Sequence, residues 1–341
     1  MKILVTGAGG FLGGVLAQRL LGEPGLSGPR ITRLVLTDQV PIRTDVFEEP
    51  ARVEAWVAPL ADCCDQIARA RFDGVFHLAS AVSAECEADF ELGMRSNLES
   101  TRALLLALRA AGNVPRLVFA SSAAVFGADP PFLPVPSPVY DHTLPTPQTS
   151  YGTQKLMLEQ LIADMTRKGF LDGRAVRLLT VSVRPGRPNG AASGFLSGII
   201  REPLAGIPAV CPVPLQTRVA LASPSATITA LLRAYQATRE ELGGRTALNL
   251  PALSLSVGEM LDELAAIAGP AARALVRVEP DPRIENIVAS WPSEFHSERA
   301  RRLGLSPDPS FGHSIAAYMR MHPEAVKIEL PPQRLRHQGI Q

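Results

Sequence analysis

Short, mainly apolar runs recur through the first half of the chain, each closed by glycine or small polar residues and followed by a helix-length stretch. Ile3-Leu4-Val5, Ile31 to Leu36, Gly74 to Leu78 and Arg116 to Ser122 are of this kind. A run without polar alternation suits a strand buried on both faces, as in a parallel sheet covered by helices. Helices are expected from about Phe11 to Leu21, Asp62 to Ala70 and Glu85 to Ala111, and onward from Tyr151 through Leu156, Leu158 and Leu161. A short strand at 52–57 and one from Arg174 to Val183 complete the series. Alternating strands and helices predict a doubly wound α/β domain with a parallel sheet.

Past Pro185 the pattern changes. Helices at about 193–202, 224–238, 256–268 and 310–320 mix with short strands near 219–222, 246–250 and 275–279. The expected organisation is a first domain over 1–185, a smaller, mainly C-terminal lobe over 186–330 with some segments returning to the sheet, and a tail over 331–341. Between the fifth strand and Tyr151, residues 129–147 hold seven prolines and no period. That stretch reads as a stiff loop, expected to wall or cover a site.

Chemistry enters at the first strand's end. Gly7, Gly10 and Gly13 follow Ile3-Leu4-Val5 directly, and the first helix opens at Phe11. Strand, glycine turn and helix start in succession form a phosphate-binding unit: glycines admit a pyrophosphate close to the backbone, and the free N–H groups and helix dipole attract its charge. Asp38, at the tip of the second strand, can accept hydrogen bonds from ribose hydroxyls and would repel a 2′-phosphate, which favours NAD over NADP; Arg43 stands nearby as a counterweight. The small residues Ala79 and Ser80 after the fourth strand leave room for a cofactor across the strand ends. His77, inside that apolar run, reads as a satisfied core histidine.

Tyr151 and Lys155 stand four apart at a helix start, so they share a face. A free tyrosine ionises near pH 10, too high for a base at neutral pH, and a neighbouring ammonium favours the phenolate. Hydroxyls at Ser121 and Ser122 close the fifth strand, at the edge where open parallel sheets bind ligands.

Composition narrows the field. A net charge of +1 gives no electrostatic reason to expect nucleic acid or an anionic membrane as partner. Cys63, Cys64, Cys86 and Cys211 have neither metal nor disulfide spacing, and no metal site is expected. No apolar run approaches the ~18 residues of a membrane span, and the first residues read as a strand and glycines rather than a leader. A soluble, cytoplasmic protein is expected.

Gly7-xx-Gly10-xx-Gly13, Asp38, Ser122 and Tyr151-xxx-Lys155, in this order, resemble the extended short-chain dehydrogenase/reductase family, a Rossmann-type fold. Phe295-His296-Ser297-Glu298-Arg299-Ala300 resembles its late C-lobe segment, so the likeness spans nearly the whole chain. The segments SSAAVFG, TSYGTQK and RPGRPNGAAS are most similar to members that use NAD to oxidise the 2-hydroxyl of a four-carbon sugar acid. The resemblance implies Tyr151 as general base, Lys155 tuning it and bonding the nicotinamide ribose, and Ser122 holding the reacting oxygen. It implies Phe11 and Leu12 amides on the pyrophosphate, Pro185 against the nicotinamide, and Asn97 near the cofactor and the proton path, unless that asparagine serves to bend its helix. Pro59 stands where many relatives bind adenine with an aspartate, which leaves that contact to the backbone at Leu60. Phe126 replaces a commoner tyrosine, and RPGRPN replaces the segment usual in nucleotide-sugar enzymes. A carboxylate substrate needs a cationic anchor; Arg187 and Arg218 are candidates, with Asn189, Ser193 and Thr217 as polar company. Family members often pair through helices like 85–111 and 151–167, which implies a homodimer. The competing readings are a nucleotide-sugar epimerase or dehydratase, and a non-catalytic NAD-binding scaffold or sensor.

Overall fold

The computed structural model describes residues 1–22, 26, 28–186 and 192–331. Seven parallel strands form the main sheet: β1 (Lys2–Thr6), β2 (Arg33–Asp38), β3 (Val53–Val57), β4 (Gly74–His77), β5 (Arg116–Ser122), β6 (Asp172–Leu178) and β7 (Leu248–Asn249). Their spatial order is β7-β6-β5-β4-β1-β2-β3. The order reverses beside β1, and that switch point is where open α/β sheets bind ligands.

The apolar runs behave as their pattern requires. Alternate residues of one strand enter different cores: Ile3 and Val5 pack with α1 (Phe11–Leu21) and the helix Pro224–Gln236. Leu4 packs on the other face with α2 (Cys64–Ala70), α3 (Ser100–Ala111) and α4 (Ser150–Arg167). Because each strand contributes to both layers, its pattern is mainly apolar without polar alternation. A third core, with Leu196, Ile199, Leu221, Leu261, Phe311 and Tyr318 among its members, organises the C-terminal lobe.

Two elements differ from the sequence expectation. The stretch 85–111 is not one helix: Ser83–Ala88 ends at Asp89, whose carboxylate caps a new turn by accepting from the Leu92 amide at 2.9 Å. A wide π-type turn over Met94–Glu99 then joins α3. The strand read from Arg174 to Val183 breaks at Leu179, because Thr180–Val181 leaves the main sheet to pair with Arg218–Ala222 of the second lobe. The strand expected near 246–250 is a segment that returns to the main sheet, which it closes as β7.

The proline-rich loop is fastened to the late C-terminal segment. Val139–Tyr140 pairs with Phe295–His296. Asp141 accepts from Ser297 Oγ at 2.6 Å and from the Arg299 amide at 3.0 Å. All but the first residue of the expected tail lies outside the described residues, and no helix among those described is long and apolar enough to cross a membrane.

Candidate active site

The glycine turn has the geometry a diphosphate requires. Gly7 has φ of 73°, in the left-handed region, and a Cβ there would stand 2.6 Å from the Ala79 amide nitrogen. A Cβ on Gly13 would overlap the Gly7 carbonyl oxygen. Only glycine permits this packing of β1, α1 and the end of β4. No side chain caps α1, so its first amides, at Phe11 and Leu12, are free for an anion. Asp38 completes this wall: its Oδ2 accepts from the Gly9 amide at 2.9 Å and its Oδ1 from the Gln39 amide at 2.7 Å. Arg43 is engaged by Asp45 at 2.6 Å. The glycine turn, the uncapped helix start and the Asp38 carboxylate together fit the binding half of a dinucleotide. Leu60 opens a short turn after β3 and is buried.

Beneath the turn lies a buried hydroxyl–imidazole chain. Thr6 Oγ1 is 2.6 Å from His77 Nδ1, and His77 Nε2 is 2.8 Å from Thr101 Oγ1. Burial, and to a lesser degree the charge of Lys155, push the His77 pKa down to about 3. Its ring is therefore neutral and joins β1, β4 and α3. Ala79 is held by its amide, which donates to Thr6 Oγ1 at 3.3 Å.

The chemistry-bearing side chains converge at the carboxyl end of β5. Thr149 caps α4 by accepting from the Gly152 amide at 3.0 Å, which sets Tyr151 in the first turn. Its neighbour Gly152 packs against the Ala124 carbonyl, just past Ser122, which brings Tyr151 to this strand end. Lys155, one turn on, is buried and donates to the Ala120 carbonyl at 2.8 Å. Its ammonium is 4.8 Å from the Phe119 ring centre and 5.4 Å from that of Tyr151.

The electrostatics depart from the sequence expectation. Burial pushes Tyr151 up to about 12, and what opposes that rise is hydrogen bonding from Ser122 and Ser80, not the ammonium. Burial likewise pulls Lys155 down to about 7, with Cys86 and Glu159 acting against the drop. Desolvation outweighs attraction for both groups, Lys155 being buried and Tyr151 half-buried, because burial makes each charge costly to form. A bound cationic ring would alter this balance.

Asn97, in the wide π-type turn, is a clamp. Its Oδ1 accepts from the Ala81 amide at 2.8 Å and from Ser80 Oγ at 3.0 Å, and its Nδ2 donates to Gln154 Oε1 at 2.9 Å. The turn it occupies is the helix irregularity considered for it.

The substrate residues are placed unevenly. Arg187 and Asn189 lie outside the described residues. Arg218 is exposed, donates to the Ser254 carbonyl at 3.3 Å and faces Glu259 at 3.9 Å. Thr217 precedes it, its carbonyl accepting from Val257, and Ser193 sits in a short turn before the helix Phe195–Leu204. Strand register sets Leu178, not Pro185, beside Ser122. Pro185 follows Arg184, whose amide bonds Ser197 Oγ at 3.1 Å in the second lobe.

Three features escaped the sequence. Ser80 is bonded to Asn97 just past β4; the small-residue end of that strand was its signal. Arg184 is half-buried and pairs with no carboxylate among the described residues, while Arg201 lies close enough to lower its pKa further below the drop that burial causes. Glu159 and Arg177 form a buried ion pair behind Lys155.

This chain belongs to the NAD dependent epimerase/dehydratase family, whose model matches residues 3–242, and NAD is the cofactor that the glycine turn and Asp38 fit. Among individual proteins it is 46% identical to the D-erythronate dehydrogenase of Cupriavidus necator, over 94% of this chain and 98% of that one. It is 40% identical to the D-erythronate dehydrogenase of Haemophilus influenzae, over 94% and 99%. A crystal structure described as the nucleoside-diphosphate-sugar epimerase from Agrobacterium tumefaciens superposes with a TM-score of 0.88 at 41% identity, covering 95% of each chain.

Proposed function

We propose that this chain is an NAD-dependent dehydrogenase that oxidises the C2 hydroxyl of D-erythronate to give 2-dehydro-D-erythronate. The observation that carries the reading is the 46% identity to a D-erythronate dehydrogenase along almost the full length of both chains. The convergence of Ser122, Tyr151 and Lys155 supports it. Tyr151 takes the C2 hydroxyl proton, and Ser122 donates to the same oxygen, steadying charge as the carbonyl forms. Lys155 braces α4 against β5 and faces the nicotinamide ribose. NAD⁺, when bound, supplies the hydride acceptor and a cationic ring. Phe11 and Leu12 amides hold the diphosphate, Asp38 the adenosine ribose, and the Leu60 backbone the adenine edge.

The carboxylate of the substrate meets an arginine. Arg184 suits that task better than Arg218, which is exposed and faces Glu259; Arg187, Asn189, Ser193 and Thr217 complete the polar wall. In this reading residues 1–185 bind NAD and 186–330 shape the substrate side. The chain works in the cytoplasm as a homodimer, for which the exposed Phe90 and Met157, beside a surface groove of about 520 Å³, offer a surface.

The A. tumefaciens relative favours one rival, a nucleotide-sugar epimerase, in which NADH is not released. Mixing the protein with NAD⁺ or NADP⁺ and a panel of four-carbon 2-hydroxy acids and nucleotide sugars separates the two. Steady NADH formation with D-erythronate supports the dehydrogenase, whereas epimerised nucleotide sugar without free NADH refutes it.

A further inference from the structure

The end of the main sheet opposite the candidate active site gathers positive charge. Arg116 and Asp172 stand side by side where β5 and β6 begin, roughly 20 Å along the strand from Ser122. Three guanidinium groups share the Asp172 carboxylate. Its Oδ2 accepts from Arg116 Nε at 3.1 Å and from Arg174 Nη2 at 2.6 Å, and its Oδ1 accepts from Arg239 Nη2. The other bonds of Arg174 and Arg239 run to neutral carbonyls, at Tyr235, Ala237, Gly173 and Gly244. One carboxylate therefore offsets three cations. Burial pulls Arg174 down to about 10, and the charges of Arg116 and Arg239 add to a drop that Asp172 opposes.

A cavity of about 10 Å³ lies against this cluster. Arg174, Arg239, Arg245 and Arg299 line it, and among the described residues no Asp or Glu does. Arg299 brings further charge, since its guanidinium donates only to the Leu242, Thr246 and Ala247 carbonyls and the Thr246 hydroxyl. At the cavity's rim Arg245 and Thr246 are exposed, which gives solvent a way in. Arg174 is 3% exposed, and its buried Nε has no hydrogen-bond partner among the described residues. A buried N–H without an acceptor is costly, and the cavity that Arg174 lines has room for one.

Size and charge select the occupant. The volume is that of one water-sized particle, which admits a monatomic ion and excludes phosphate or a sugar acid. Guanidinium groups only donate, which matches an ion that only accepts. An anion also offsets the repulsion among the arginines, as a neutral water does not. We propose that this cavity is a halide site, which holds chloride among Arg174, Arg239, Arg245 and Arg299. The ion neutralises the cluster and ties the β6–β7 edge to the segment whose Arg299 amide holds Asp141 of the proline-rich loop.

The test compares melting of the full chain in sodium chloride and in sodium gluconate, whose anion is too large for the cavity, both at about 0.15 M. Chloride raises Tm by about 2 °C over gluconate. Arg245→Glu places a competing carboxylate at the rim and removes that difference, while it melts in gluconate no lower than the parent. Crystals soaked in sodium bromide at the same strength show an anomalous peak beside Arg174 Nε. An ordered water in place of that peak, a peak seen only at molar bromide, or a chloride increment that survives Arg245→Glu overturns the proposal.

Discussion

Lys155 reaches from α4 to the carbonyl of Ala120 on β5, at 2.8 Å, two residues before Ser122. The bond ties the helix that carries Tyr151 to the strand that carries the serine. Besides bearing charge, the lysine thus fixes the spacing of the two hydroxyl groups proposed to act on substrate.

Lys155→Met separates these roles from stability. The folded-state pKa of about 7 lies below the ordinary lysine value of 10.5, so the unfolded chain binds more protons between those values. Stability of the parent therefore rises as pH increases from about 7 towards about 10 and is lower below that window. The variant loses this slope and is no less stable at neutral pH, while kcat falls by at least about 100-fold. Urea titrations across the window, together with initial rates, check both halves.

Behind the lysine, Glu159 and Arg177 form a bidentate pair, Nε–Oε1 3.0 Å and Nη2–Oε2 2.7 Å, with both residues buried. Ser121 also donates to Glu159, and Arg177 donates to Asn249 of β7 at 3.1 Å. Removing one partner leaves a charge stranded in a dry core, so Arg177→Met alone costs about 3–5 kcal/mol of stability. The double change Glu159→Leu with Arg177→Met costs much less than the sum of the single changes. Denaturant midpoints in a double-mutant cycle measure the difference.

Much of this architecture was legible beforehand. The apolar runs announced central strands because residues such as Leu4 and Val5 enter opposite cores and neither can be polar. Gly7 and Gly13 were legible because a Cβ at either position collides with backbone. Lys155 was read as a charge and is more a brace, since sequence spacing carries no information on burial. Ser80 was hidden for a related reason: its partner Asn97 comes from a turn whose departure from helix no periodicity reports. The break at Leu179 was hidden because the strand that draws Thr180 away lies some forty residues on.

Gly13→Val tests the cofactor wall. The added side chain displaces the Gly7 carbonyl and with it the turn that receives the diphosphate. The protein stays folded by circular dichroism, and NAD affinity measured by calorimetry falls by at least about 10-fold, roughly 1.4 kcal/mol.

In the proposed function Asp38 governs the choice of dinucleotide. Its carboxylate is fixed by the Gly9 and Gln39 amides, so a 2′-phosphate would meet a charge that cannot turn away. Asp38→Ser lowers the preference for NAD⁺ over NADP⁺ by about 10-fold or more, read as the ratio of the two kcat/KM values.

The most direct test of the central claim follows the hydrogen on C2. D-Erythronate carrying deuterium at that carbon is incubated with the protein and NAD⁺, and the reduced dinucleotide is analysed by mass spectrometry. The account predicts NADH one mass unit heavier together with a 2-keto acid, and neither product from Tyr151→Phe. Unlabelled NADH, or no NADH while a nucleotide sugar is epimerised by the same preparation, would contradict it.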